Sequence, residues 1–262
     1  MKNSKKFKFI TCAFTFFAML NMTSCIESHE NNEDKSLNIE QSAGLETTKA
    51  SGQAEQNQQL VMSESEAQPI PEIEMVYKPI TWTENRERLI REYAELHYGK
   101  SEITIVPQAV AVHWTAGSTW QSAYYWFLNE ARDDGTLNVA SHFIVDRDGT
   151  IYRLTEETAL NRHIIGYNWC AIGIENVGGV GNREDLTEAQ LDANIRLIKY
   201  LHAKYPTIEY VFGHYQQEAA HASGLYIEHV AGYYSIKADP GPTFMLGLRE
   251  ALSGDGLKFY PE

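Results

Sequence analysis

The sequence predicts a single α/β domain over residues 76–262, with a central sheet flanked by helices. Three observations carry this reading. Strand-like and helix-like segments alternate along the stretch, its length suits one core, and it contains no internal repeat. The first helix is expected at Thr81-Trp82-Thr83-Glu84, which reads as a capping box. Leu89, Ile90, Tyr93 and His97 then follow at helical spacing before Gly99. Gln108 to Thr115 is an apolar run and reads as a buried strand. Ser118-Thr119 can cap a second helix, with Trp120, Ala123, Tyr124, Phe127, Leu128 and Ala131 on one stripe and Asp133-Asp134-Gly135 as its stop. The aromatic run Tyr124 to Phe127 on that helix is expected to be mostly core, with Tyr125 as the candidate exposed member. Ala140 to Val145 and Thr150 to Leu154 read as strands around the turn Asp146-Arg147-Asp148-Gly149. Ala171 to Val177 is another strand. Thr187 caps a long helix with Leu191, Ile195, Ile198 and Leu201 inward, stopped before Pro206. Tyr210 to Gly213 is a short strand, and Pro242 opens a final helix carrying Phe244, Leu248 and Leu252.

Composition narrows the function. The chain has 262 residues, is 43% hydrophobic and 22% charged, and carries a net charge of −13. So acidic a chain lacks the basic face that neutralises phosphates, so no nucleic-acid partner is expected. Charge-driven adhesion to an anionic membrane is excluded on the same ground. Three cysteines, at 12, 25 and 170, form no disulfide framework, and Cys170 reads as a small buried hydrophobe.

Residues 1–24 read as a secretory signal. Lys2, Lys5, Lys6 and Lys8 precede a short apolar stretch, Phe9 to Leu20. The segment ends in Met22-Thr23-Ser24-Cys25, which resembles a bacterial lipobox. On that reading Cys25 is lipidated and anchors the protein to a membrane. The plain alternative is an ordinary signal peptide that happens to carry a Cys. The expected location is the cell envelope, lipid-anchored at the outer membrane, on its periplasmic face or at the cell surface. Residues 25–75 are expected to be a disordered acidic tether. From residue 26 onward this stretch has no Phe, Trp or Tyr, and its acids outnumber its bases eleven to two. The run Glu27 to Asp34 resembles export signals of some surface lipoproteins, or is simply part of that tether.

Chemistry is expected at strand ends. His113 closes the buried strand in Val112-His113-Trp114-Thr115-Ala116. His214 follows the short strand in Phe212-Gly213-His214, and Asp239 lies in Lys237-Ala238-Asp239-Pro240-Gly241. Two imidazoles and one carboxylate suit Zn²⁺, with a fourth position left for water. Taken singly, each histidine reads more readily as a satisfied polar residue than as a ligand, and the Asp239 run as a turn and helix start. Among the other histidines, His142 is expected to pack or hydrogen-bond near the site. His97 and His202 read as structural positions on helix stripes.

The set as a whole resembles the type-2 N-acetylmuramoyl-L-alanine amidases. These are zinc hydrolases of peptidoglycan, related to the animal peptidoglycan-recognition proteins. Four motifs stand in the family's order over about residues 78–250. They are Val112 to Ala116, Ser141 to Gly149, Ile172-Gly173-Ile174-Glu175, and Gly213-His214 with Lys237 to Gly241. The resemblance implies a mixed sheet flanked by helices with a zinc groove on one side. It implies one Zn²⁺ held by His113, His214 and Asp239. Glu175 matches the catalytic acid/base, Lys237 a lysine that steadies the transition state, and His163 falls near a histidine of the substrate groove. The implied substrate is peptidoglycan or its muropeptides, cut between the lactyl group of N-acetylmuramic acid and L-Ala. Many relatives carry a Tyr just before the position of His142, where this chain has Ser141, so proton transfer is expected to rest on Glu175. The long segment 215–236 either covers the groove or packs as a surface loop. The competing function is a muropeptide-binding module without catalysis. The presence of all three candidate ligands with Glu175 and Lys237 favours the enzyme.

Overall fold

The computed structural model describes residues 69–260. The signal segment, Cys25 and the tether up to residue 68 lie outside the described residues. Eleven elements follow in order: β1 Val76–Tyr77, α1 Glu84–Tyr98, β2 Ala109–Trp114, α2 Trp120–Leu128, β3 Phe143–Val145, β4 Ile151–Arg153, β5 Ala171–Asn176, α3 Glu188–Lys204, β6 Tyr210–Gly213, α4 Pro242–Ala251 and β7 Lys258–Phe259. The strands form one seven-stranded sheet in the order β1-β4-β3-β5-β2-β6-β7. Only the β3–β4 hairpin is antiparallel, so the sheet is mixed. Among the described residues, no helix is long and apolar enough to cross a membrane.

Strand alternation divides the work of the central strands. Val110 and Val112 of β2, Ile172 and Ile174 of β5 and Val211 of β6 share one cluster with Leu197, Ile198 and Leu201 of α3 and Met245 and Leu248 of α4. Fully burying each such Leu or Ile contributes about 1.5–3 kcal/mol. The alternate positions, Ala109, Ala111 and Ala171, are small and pack with Ile164, Tyr167, Phe212 and Ala220. Small residues leave a shallow floor on that side of the sheet. That floor leads along β2 and β5 to His113 and Glu175.

Several local expectations change in detail. The cap of α1 is Thr83, whose hydroxyl accepts from the Arg86 backbone N–H, and not Thr81. The buried Arg86 guanidinium donates instead to the carbonyls of Thr81, Phe127 and Leu128, tying the start of α1 to the end of α2. Helix α2 stops at Leu128, short of Asp133, because the Asn138 side chain donates to the carbonyls of Trp126 and Asn129. With the helix that short, only Phe127 is buried. Trp126, read as core within the aromatic run, is 57% exposed, while Tyr125, the candidate exposed member, is 65% exposed. The edge strands β1 and β7 are two residues each, too short for any periodic signal. Ile73 and Met75, ahead of β1, already pack against the core. The capping box of α3 forms as its sequence reads, with Thr187 and Gln190 bonding reciprocally.

Candidate active site

The site lies at the C-terminal ends of the neighbouring parallel strands β5, β2 and β6. His113 of β2 and Glu175 of β5 are register partners, so their side chains leave the sheet on the same face. His214 begins a 3-10 turn directly after β6. Asp239 reaches it because Gly213 has no side chain. A Cβ there would stand 2.7 Å from Cδ of Pro240. The Tyr215 N–H then donates to the Asp239 carbonyl at 2.8 Å, fixing the two turns to each other.

These constraints bring His113 Nδ1, His214 Nδ1 and Asp239 Oδ2 together. The nitrogens are 2.9 Å apart, and the carboxylate oxygen is 3.2 Å from the first and 3.1 Å from the second. All three residues are buried. Burial lowers the His113 pKa to about 4, with the Asp239 bond opposing and the His214 charge adding, so the ring is neutral at pH 7. Burial works to raise the Asp239 carboxyl, but its bonds to His113 and His214 outweigh that and hold it below the ordinary carboxylate range. Neutral imidazole lone pairs beside a carboxylate are what a divalent cation satisfies. Ligand atoms at the corners of a tetrahedron around Zn²⁺ stand about 3.3 Å apart. The observed separations fit that donor set closely.

A groove of about 540 Å³ opens from this cluster. Glu175, Lys237 and His163 line it with the three ligand candidates, so the six residues expected at the catalytic site meet in one place. Glu175 Oε2 is buried with no hydrogen-bond partner. Burial pushes the Glu175 carboxyl well above its usual range, Asp239 adds to the effect, and Lys237 opposes it. His163 contacts His113, its Nδ1 lying 3.2 Å from His113 Nε2. His142 lies behind, fully buried, donating from Nε2 to the Ala159 carbonyl and accepting the Gly173 N–H at Nδ1. Cys170 is buried, and burial pushes its thiol far up, as suits a hydrophobe and not a nucleophile.

Some other groove residues, Arg162 and Asn182 among them, lie outside the four sequence motifs. Arg162 donates to the Leu137 carbonyl and to the Tyr233 hydroxyl, joining the groove wall to the 215–236 segment. Ala116 and Asn182 also line the groove, and both have positive φ, 51° and 60°. For Asn182 the glycine-rich run Gly178-Gly179-Val180-Gly181 is a usable clue to an irregular loop. The 215–236 segment touches the groove at one end and packs against the domain elsewhere. Ile236 reaches the groove, while Glu228 is buried against His97 Nδ1 at 2.8 Å.

Comparison with known proteins gives the family. Residues 104–242 match the Amidase_2 family, described as N-acetylmuramoyl-L-alanine amidase, and the chain belongs to that family. Its relatives include the endolysin of Enterobacteria phage T3, 33% identical over 103 residues, covering 37% of this chain and 68% of the relative. The endolysin of Escherichia phage T7 is 37% identical over 78 residues, covering 28% of this chain. The chain thus spans about half, 52%, of that relative's length. Similar solved structures include the N-acetylmuramoyl-L-alanine amidase LysC from Clostridium intestinale URNW, at 21% identity and TM-score 0.48, covering 71% of this chain and 100% of that one. A selenomethionine derivative of AmpD is 18% identical at TM-score 0.44, covering 68% of this chain and 93% of that one.

Proposed function

We propose that this protein is a Zn²⁺-dependent N-acetylmuramoyl-L-alanine amidase that cuts the amide between the lactyl group of N-acetylmuramic acid and L-Ala in peptidoglycan or muropeptides. The observation that carries this is the convergence of three ligand atoms within 3.2 Å of one another on a groove floor, beside an unpartnered carboxyl. His113, His214 and Asp239 would hold the ion. When bound, Zn²⁺ supplies Lewis acidity to a water and to the scissile carbonyl. Glu175 supplies the proton traffic. Its carboxyl, raised by burial, takes a proton readily at Oε2 and can return it to the leaving amine nitrogen. Lys237 brings a positive charge to the same groove, where it offsets negative charge developing on the carbonyl oxygen. The groove walls hold the substrate across these groups and limit the water that reaches them.

The test uses purified, metal-analysed protein with defined muropeptides and with sacculi, with and without a chelator, and products read by mass spectrometry. Stem peptides beginning at L-Ala, lost with chelator and restored by Zn²⁺, are expected. Tight muropeptide binding without cleavage by zinc-loaded protein overturns the enzyme in favour of a binding module. The reading extends to an envelope location through a lipid on Cys25, supported by the sequence of residues 1–25 alone. Radiolabelled fatty acid should enter the wild-type protein and not Cys25→Ser. Absence of label in the wild type overturns the anchor.

A further inference from the structure

His163 has no free ring nitrogen. Its Nε2 lies 3.1 Å from the Ala171 carbonyl, which can only accept, so that nitrogen carries the proton. In a neutral ring the other nitrogen, Nδ1, then offers only a lone pair. It stands 3.2 Å from His113 Nε2, so His113 donates there. With the single proton of the imidazole placed on Nε2, the remaining nitrogen of His113, Nδ1, is left with a lone pair. That lone pair points at His214 Nδ1 and Asp239 Oδ2. The chain of donors therefore runs from His113 through His163 to the backbone of β5.

The packing fixes this arrangement. The His163 ring lies on Gly173 of β5, where an added Cβ would meet its Cγ and Nδ1 at 2.8 Å. The His163 and Ile164 N–H groups both donate to the Asn168 side chain, at 2.8 and 2.7 Å, which shapes the turn that presents the ring. His214 is different, because its Nε2 is buried with no partner. Only one of the two histidines of the cluster has its tautomer set by a protein acceptor.

We infer that His163 is a positioning residue that holds His113 as the Nε2–H tautomer and so presents the Nδ1 lone pair to the cation. This rests on the metal-site reading above. It assigns His163 to the support of a ligand, whereas the sequence resemblance points to the substrate groove. Support of this kind changes metal affinity by about 10- to 100-fold in metalloenzymes.

The experiment compares the wild-type protein with His163→Ala, His163→Leu and His163→Asn. Zn²⁺ affinity is measured by competition with a chromophoric chelator at pH 7. Imidazole tautomers are read from long-range proton–nitrogen correlations in the metal-free proteins. Asn places an amide oxygen near the Nδ1 position and can still accept from His113. Ala and Leu cannot, although Leu fills the space. Affinity should fall about 10- to 100-fold in the Ala and Leu variants and stay within a few-fold of wild type in the Asn variant. His113 should carry its proton on Nε2 in the wild-type and Asn proteins. Equal affinity in all variants, or retention by Leu with loss in Asn, overturns the role of His163 alone. A wild-type protein without Zn²⁺ affinity overturns the metal-site reading, and the proposal with it. Should the Ala variant not fold, the Asn–Leu comparison and the wild-type tautomer decide.

Discussion

Gly173→Ala tests the architecture of the site without touching a charged group. Position 173 sits mid-strand in β5, so the backbone there accepts any L-residue and the constraint is space. The new Cβ would stand 2.8 Å from Cγ and Nδ1 of His163 and 2.9 Å from Oγ of Ser141, where ordinary contacts are 3.4–4 Å. The ring must retreat by about 0.6 Å or more to reach ordinary contact. It cannot do so freely, because His113 and Ala171 hold its two nitrogens. Overpacking of this kind costs about 1–3 kcal/mol, and a weakened hydrogen bond adds about 1. Replacing glycine returns about 0.4–1 kcal/mol through the unfolded chain. The net loss is about 1–3 kcal/mol, or about 2–12 °C in Tm for a domain of this size. Thermal melts of the metal-free protein followed by circular dichroism read it directly. In a His163→Ala background the same substitution meets only Ser141, so it should cost distinctly less. A Gly173→Ala protein melting within 1 °C of wild type, or an equal cost in both backgrounds, refutes the contact argument.

Glu175→Gln should leave Zn²⁺ binding intact and lower kcat by about 10²- to 10⁴-fold, read with a defined muropeptide and metal analysis on the same sample. A loss of metal instead would mean that Glu175 supports the ligands and not the proton transfer. Acid should unfold the metal-free domain partly through His142. Burial lowers its folded-state pKa to about 4, while in the unfolded chain it titrates near 6.5. Between those values the unfolded chain binds more protons, so stability present above pH 6.5 is lost as pH falls towards 4, by about 3 kcal/mol from this residue. Denaturant melts from pH 7 to 4 should show that loss reduced in His142→Gln, and an unchanged slope would exclude His142 as its source. Glu228→Ala removes the partner of buried His97 and should cost about 1–3 kcal/mol. Limited proteolysis should then cut within residues 215–236, and wild-type resistance would show that the loop is held by other contacts.

The elements legible in the sequence are those with many repeats of one period. The β2 and β5 runs, the stripe of α3 and the Thr187 capping box all fall where the residues put them. So do the three ligand candidates, because each sits at the end of a strand or beside a proline turn, where side chains leave the sheet together. The start of α1 was less legible, since Thr81 and Thr83 are both good caps and the choice depends on Arg86 reaching α2. Trp126 misled because the aromatic run was read as one block, while the stripe of Trp120, Ala123, Tyr124 and Phe127 leaves position 126 on the opposite side of the helix. The seat of His163 was least legible of all. It comes from an irregular segment shaped by Asn168, and its partners, His113 and Ala171, belong to two different strands. No local pattern encodes a contact of that range.

The three ligand candidates also have a topological meaning. His113 and His214 are 101 residues apart, and His214 and Asp239 are 25 apart. A cation shared among them acts as a removable cross-link that closes one large ring of chain and one small one. Such an ion stabilises by binding the folded arrangement and not the unfolded chain, in which the three side chains are far apart. Helix α4 and strand β7 follow the last of the three positions, so the C-terminal end of the sheet is tied to its centre through that knot. On the proposed metal reading, free metal concentration would be a variable of folding, with stability that climbs logarithmically as the ion is added.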